Sequence, residues 1–175
     1  MNRRFFLAAG AVGLMAGCSS TGIEQFRQER PLLDLTAYFN GIVDAWGVVR
    51  NRDGTISRRF RVEIRASWQD GVGTLDETFT YSDGGTQRRV WTLRRSGAGW
   101  VGTAADVVGE ARGEVAGNAL RLRYVLDYPW NGSSVHLDVD DWMWLVDEHV
   151  LLNRSTVSKF GIEVAQVLIS FRRRG

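Results

Sequence analysis

The stretch Arg58–Trp68, RRFRVEIRASW, changes character at every second residue. Phe60, Val62, Ile64, Ala66 and Trp68 fall on one side of an extended chain, and Arg59, Arg61, Glu63 and Arg65 on the other. Successive strand residues point to opposite faces, so this pattern describes a strand with one dry face and one wet face. The stretch Ala119–Tyr128, ALRLRYVLDY, repeats it, with Leu120, Leu122, Tyr124 and Leu126 set against Arg121, Arg123 and Asp127. Half-buried strands of this kind belong to antiparallel sheets.

The punctuation outside these stretches agrees. Short turns rich in Gly, Asn and Asp occur at Arg50–Thr55, Ser82–Gly85, Ser96–Gly99, Ala116–Ala119 and Trp130–Ser133. Between them the chain reads as eight to ten strands, with one or two helical turns near Pro31–Phe39. Sequential hairpins close most simply into an all-β, antiparallel up-and-down barrel of the lipocalin or calycin kind, which leaves no sheet edge. A two-sheet sandwich is the alternative architecture. Arginine-rich outward faces would be costly in lipid, which argues against a membrane-spanning barrel. Glycines 109, 113 and 117 interrupt one strand region and suggest bulges or bends at a barrel corner.

The amino terminus, MNRRFFLAAGAVGLMAGCSS, has a positive start, a short apolar run and small residues before Cys18, the chain's single cysteine. This is a secretory leader, and Met15-Ala16-Gly17-Cys18 resembles the bacterial lipobox, in which the cysteine is lipidated and the preceding peptide is removed. The pair Arg3-Arg4 also resembles a twin-arginine export signal. The expected organisation is a signal peptide over 1–17, a lipidated Cys18 with a polar tether over 18–33, and a barrel domain over 34–175. Ser19 resembles the outer-membrane sorting signal, so the expected location is the periplasmic side of a bacterial outer membrane, reached through the lipid on Cys18. Losing the leader removes two arginines and no acid, leaving 20 basic and 20 acidic residues in 158. The basic balance of the full chain therefore argues for no nucleic-acid partner. A lone cysteine allows no internal disulfide, so stability must come from the core.

The familiar catalytic, metal and nucleotide motifs are missing, and no cofactor or metal is expected. The stretch Leu137–Glu148, LDVDDWMWLVDE, sets Asp140 and Asp141 side by side next to Trp142 and Trp144. Strand periodicity separates the two acids, placing Asp141 in the apolar row of Val135, Leu137, Val139, Met143 and Leu145. Glu77 intrudes likewise into the row of Leu75, Phe79 and Tyr81. Buried acids need partners; Arg112, Arg154 and Lys159 are the candidate cations. These acids either close an internal polar network or orient the polar head of an otherwise apolar ligand in the barrel.

The blocks GTAADVVGEARGEVAGNALRLRY, VDDWMWL and LLNRSTVSKFG, with LDETFTYSDG upstream, resemble the bacterial lipoproteins of domain of unknown function family 3833. That resemblance implies a periplasm-facing lipoprotein with a lipocalin-like fold and an association with genes for membrane fatty-acid modification, but no activity. The positions in matching blocks are Glu77, Asp83, Asp106, Asn118, Asp141, Trp142, Asn153, Arg154 and Lys159. They are the candidates for a ligand site or a buried polar network. The expected function is a non-enzymatic barrel holding a fatty acyl chain or phospholipid. The alternatives are an enzyme or accessory subunit acting on membrane acyl chains, and a structural envelope protein with a filled barrel.

Overall fold

The computed structural model describes residues 22–174. The expected leader over 1–17 and the lipidation site at Cys18 lie outside the described residues. Ten antiparallel strands follow in chain order: β1 (Gly41–Asn51), β2 (Ile56–Gln69), β3 (Val72–Tyr81), β4 (Thr86–Ser96), β5 (Gly99–Thr103), β6 (Val107–Ala116), β7 (Ala119–Trp130), β8 (Ser133–Leu145), β9 (Val150–Lys159) and β10 (Ile162–Arg173). Each pairs with its neighbours in sequence, and β1 also pairs with β10, which closes the barrel. The barrel expected from the hairpin rhythm is therefore the architecture, and the sandwich is not.

Register follows the binary pattern. Val62 and Ile64 of β2 are buried, opposite Phe79 and Glu77 of β3, while Arg61 and Arg65 point outward. A one-residue slip would turn these apolar rows to water, so the pattern holds the pairing. Of the three glycines expected at bulges or bends, Gly109, with φ +70°, lies within a register shift between Val108 and Arg112 of β6, Gly113 pairs regularly with Leu122, and Gly117 lies in the β6–β7 turn.

One end of the barrel is plugged. A single helical turn, α1 (Leu35–Tyr38), precedes β1, and Asp34 caps it by accepting from the backbone N–H of Thr36 at 2.9 Å. Leu35, Tyr38 and Phe39 join the main core. The Tyr38 hydroxyl donates to the His149 carbonyl at 3.0 Å, and Trp68 Nε1 donates to the Phe39 carbonyl at 2.7 Å. Both bonds bind α1 to this end of the wall.

The expected tether needs correcting. A 3₁₀ turn at Ile23–Phe26 lies on the outside of the wall, and Ile23 is buried with Ala116, Ala119 and Trp142. Phe26 meets Trp142 and Trp144 edge-on, with ring centroids 5.8 and 6.3 Å apart. Leu33 N–H then donates to the Gly117 carbonyl at 2.9 Å. The stretch from Ile23 to Leu33 is thus part of the folded unit. The i, i+3 spacing of Ile23 and Phe26 gives a mostly polar segment one apolar edge.

Candidate functional site

The barrel encloses a cavity of about 1150 Å³, slightly above the upper end of the usual range for small-molecule sites, roughly 300–1000 Å³. Its floor is apolar, formed by Leu35, Phe39, Leu93, Trp100, Leu120 and Phe171 next to the plug. Higher up it is lined by Phe60, Phe79, Tyr81, Trp91 and Tyr124, and it reaches the far end of the barrel at Arg58, Gln87, Tyr128 and Lys159. Alternation along each strand sends these side chains inward while their neighbours face solvent.

A small polar cluster interrupts this lining. Asp141 is buried on the inner face of β8, where its Oδ1 accepts from Ser155 Oγ at 2.8 Å and from Asn153 Nδ2. Asn153 Nδ2 also donates to the Trp142 carbonyl at 3.0 Å. Burial pushes the Asp141 carboxyl up to about 6, against the lowering effect of the Ser155 and Asn153 hydrogen bonds. Glu77, on β3, lines the cavity and has no hydrogen-bond partner among the described residues. Burial pushes it up to about 7, opposed by the positive charge of Arg89. Glu77 and Arg89 are directly opposite across the β3–β4 pairing.

Arg89 organises the rest of the cluster. Its Nε donates to Asp106 at 2.9 Å, and its guanidinium carbon lies 4.5 Å from the Trp91 ring centroid. Its Nη2 is buried without a hydrogen-bond partner. Burial opposes the guanidinium charge, yet Tyr124, Glu77 and Asp106 together raise its pKa. Tyr124 packs edge-on against Trp91 at 5.5 Å, and burial raises its hydroxyl pKa. Among the described residues, no three His, Cys, Asp or Glu side chains gather as a metal site.

The candidate positions from the sequence divide between the two sides of the wall. Glu77, Asp106, Asp141, Asn153 and Lys159 line the cavity. Asp83 does not; it lies in the β3–β4 turn, bonded to Arg58 at 2.9 Å. Asn118 lies in the β6–β7 turn, donating to the Leu145 carbonyl at 3.0 Å. Trp142 points outward and stacks on Trp144 beneath Phe26, with 5.9 Å between ring centroids. Arg154 is exposed on the outer face of β9. The candidate cations for the buried acids also need correcting. Arg112 and Arg154 sit at outward positions, and Lys159 donates to the His136 carbonyl at 2.7 Å. Asp141 is held through Oδ1 by neutral donors instead, and burial outweighs their lowering effect on its carboxyl. Sequence reading missed Arg89, Tyr124 and Ser155. Period two from Trp91 and Leu93 would have turned Arg89 inward, as it turned Glu77.

The family model described as "Protein of unknown function (DUF3833)" matches residues 12–173. No curated protein matches. Among solved structures, an S-type phycobiliprotein lyase from Guillardia theta superposes with a TM-score of 0.57 at 7% identity, covering 78% of this chain and 88% of that one. A protein of unknown function from the DUF3598 family of Nostoc punctiforme superposes with a TM-score of 0.58 at 15% identity, covering 83% and 51% of the two chains. At these identities the likeness is one of fold, a calycin-type barrel.

Proposed function

The chain belongs to that family of unknown function, and from this premise we propose that it is a ligand-binding barrel for one amphipathic lipid molecule, a fatty acyl chain or phospholipid. The observation that carries the proposal is the cavity of about 1150 Å³, apolar at its floor and interrupted higher up by the Glu77, Arg89 and Asp141 cluster. An apolar chain gains free energy by leaving water for such a floor, and a few convergent polar groups orient its head. A barrel serving only as an envelope spacer would gain nothing from leaving this volume unfilled, since packed interiors are more stable than hollow ones.

The same proposal includes location. The leader and Cys18 support an acylated protein held on the periplasmic side of the outer membrane. A Cys18 carrying a diacylglycerol and an amide-linked acyl chain would exceed the two signals needed for stable attachment.

A second reading is favoured by one observation. Glu77 and Asp141 both line the cavity with raised pKa values near neutrality, the condition for general acid–base catalysis. An enzyme or accessory subunit for acyl-chain modification would use them as proton donor and acceptor.

Native mass spectrometry with lipid extraction, on protein purified from its own host, tests the proposal. One bound lipid per chain is expected. Protein free of lipid that also takes up no added amphiphile would end it, and turnover of the extracted lipid would favour the second reading.

A further inference from the structure

The polar part of the cavity holds more acid than base. Glu77, Asp106 and Asp141 line it with Arg89 as their central cation. Arg89 gives its Nε to Asp106 at 2.9 Å and its face to the Trp91 ring, and its buried Nη2 has no hydrogen-bond partner. At the far end, Lys159 is held by the His136 carbonyl, and Arg58 is paired with Asp83 at 2.9 Å. Glu77 has no partner among the described residues, and both donors to Asp141 meet Oδ1, leaving Oδ2 without a hydrogen bond. Two carboxyl groups thus keep acceptor capacity that the protein does not fill.

An anionic head would add a further negative charge beside three carboxyl groups, with the unpartnered Nη2 of Arg89 as the one donor of this cluster left to offset it. A neutral hydroxyl could satisfy one acceptor. A cation satisfies both acids and also gains from the ring faces beside them, since aromatic side chains attract ammonium groups. Phe79 and Trp91 flank Glu77 and Arg89 by strand alternation, and Tyr124 feels the charges of both acids. We infer that the amphiphile this cavity takes carries a protonated primary amine, seated between Glu77 and Asp141. The inference rests on the binding function proposed above and narrows its ligand class.

The groups facing Glu77 are Arg89 from β4, Asp106 from the β5–β6 loop, Tyr124 from β7 and Asp141 from β8; its β2 partner is the uncharged Ile64. Burial raises both acids toward neutrality, so a bound ammonium would displace their protons, and amine binding should strengthen as pH rises.

Calorimetric titration of the delipidated protein with dodecylamine, dodecanol and dodecanoate tests this. Dodecylamine is expected to bind roughly tenfold tighter than either of the others near pH 8, with the advantage shrinking toward about pH 5. Glu77→Gln should remove the amine's advantage over dodecanol, and an unchanged circular dichroism spectrum shows that the variant is folded. Asp141→Asn provides the same comparison should the first variant not fold. Lysophosphatidylethanolamine separates the sources: binding comparable to dodecylamine points to a lipid headgroup, and weak binding to a free amine. Dodecanoate binding as tightly as dodecylamine, or an amine preference unchanged in both variants, would overturn the inference while leaving the binding barrel intact. Failure of all of these probes to bind would instead remove the binding function itself.

Discussion

Asp140 and Asp141 are consecutive in the chain yet lie on opposite sides of the barrel wall. Asp140 accepts from Arg121 Nε at 2.6 Å on the outer face, where partial burial raises its carboxyl but Arg121, Trp142 and Arg123 together hold it below the usual range. Asp141 accepts from Ser155 at 2.8 Å inside, and burial pushes it the other way. Two identical side chains are thus driven apart in pKa by the thickness of one strand.

This difference predicts unequal costs of substitution. Asp141→Ala leaves the Asn153 and Ser155 donors facing a hole and should destabilise by about 2–3 kcal/mol. Asp140→Ala breaks a partly exposed ion pair and should cost under about 1 kcal/mol. Urea unfolding of both variants measures this, and equal losses would contradict the placement of Asp141.

Stability should also carry a pH signature from the interior. Glu77 and Asp141 have folded pKa values of about 7 and about 6, above the ordinary 4.5 and 3.8. The folded state therefore holds protons that the unfolded state releases, and these groups' contribution is full below pH 4 and lost as pH rises toward about 7. Outer carboxyls such as Asp44 and Asp76, lowered by hydrogen bonds from Arg174 and Arg88, contribute in the opposite sense at lower pH. The double variant Glu77→Gln, Asp141→Asn should gain on the parent between about pH 4 and pH 7.5, by a few kcal/mol at the upper end. Denaturation midpoints across that range decide it; a flat difference would mean that neither acid is buried as described.

Removing Arg89 should shift the titration of Glu77. Its positive charge lowers the Glu77 pKa, which burial otherwise raises. In Arg89→Met the carboxyl should titrate above its present value of about 7. Carboxyl-carbon NMR titration reads this directly, and a downward shift would show that Arg89 and Glu77 do not share the cavity.

The docked amino-terminal stretch depends on Gly117. A Cβ there would come within 1.7 Å of the Phe26 carbonyl oxygen, and the residue has φ +55°. Gly117→Ala should lift Ile23–Leu33 from the wall and cost about 1–3 kcal/mol. Fluorescence should report newly exposed Trp142 and Trp144, and limited proteolysis should cut before Leu33. A protected amino-terminal stretch would show that the backbone yields instead.

Strand identity, the direction each strand faces and the inward placement of Glu77 and Asp141 were legible in the chain because period two is a local property that backbone geometry enforces residue by residue. RRFRVEIRASW carries its buried and wet faces in its own composition. Closure of β1 onto β10, the gathering of Glu77, Arg89, Tyr124 and Asp141 from four strands, and the covering of Trp142 by Phe26 were decided only by the tertiary structure. Alternation tells which side of the wall a residue takes but not its height or its facing strand. Those follow from how the whole ring closes, so the partners of Asp141 proved to be Asn153 and Ser155 on β9 rather than any of the cations the chain offered.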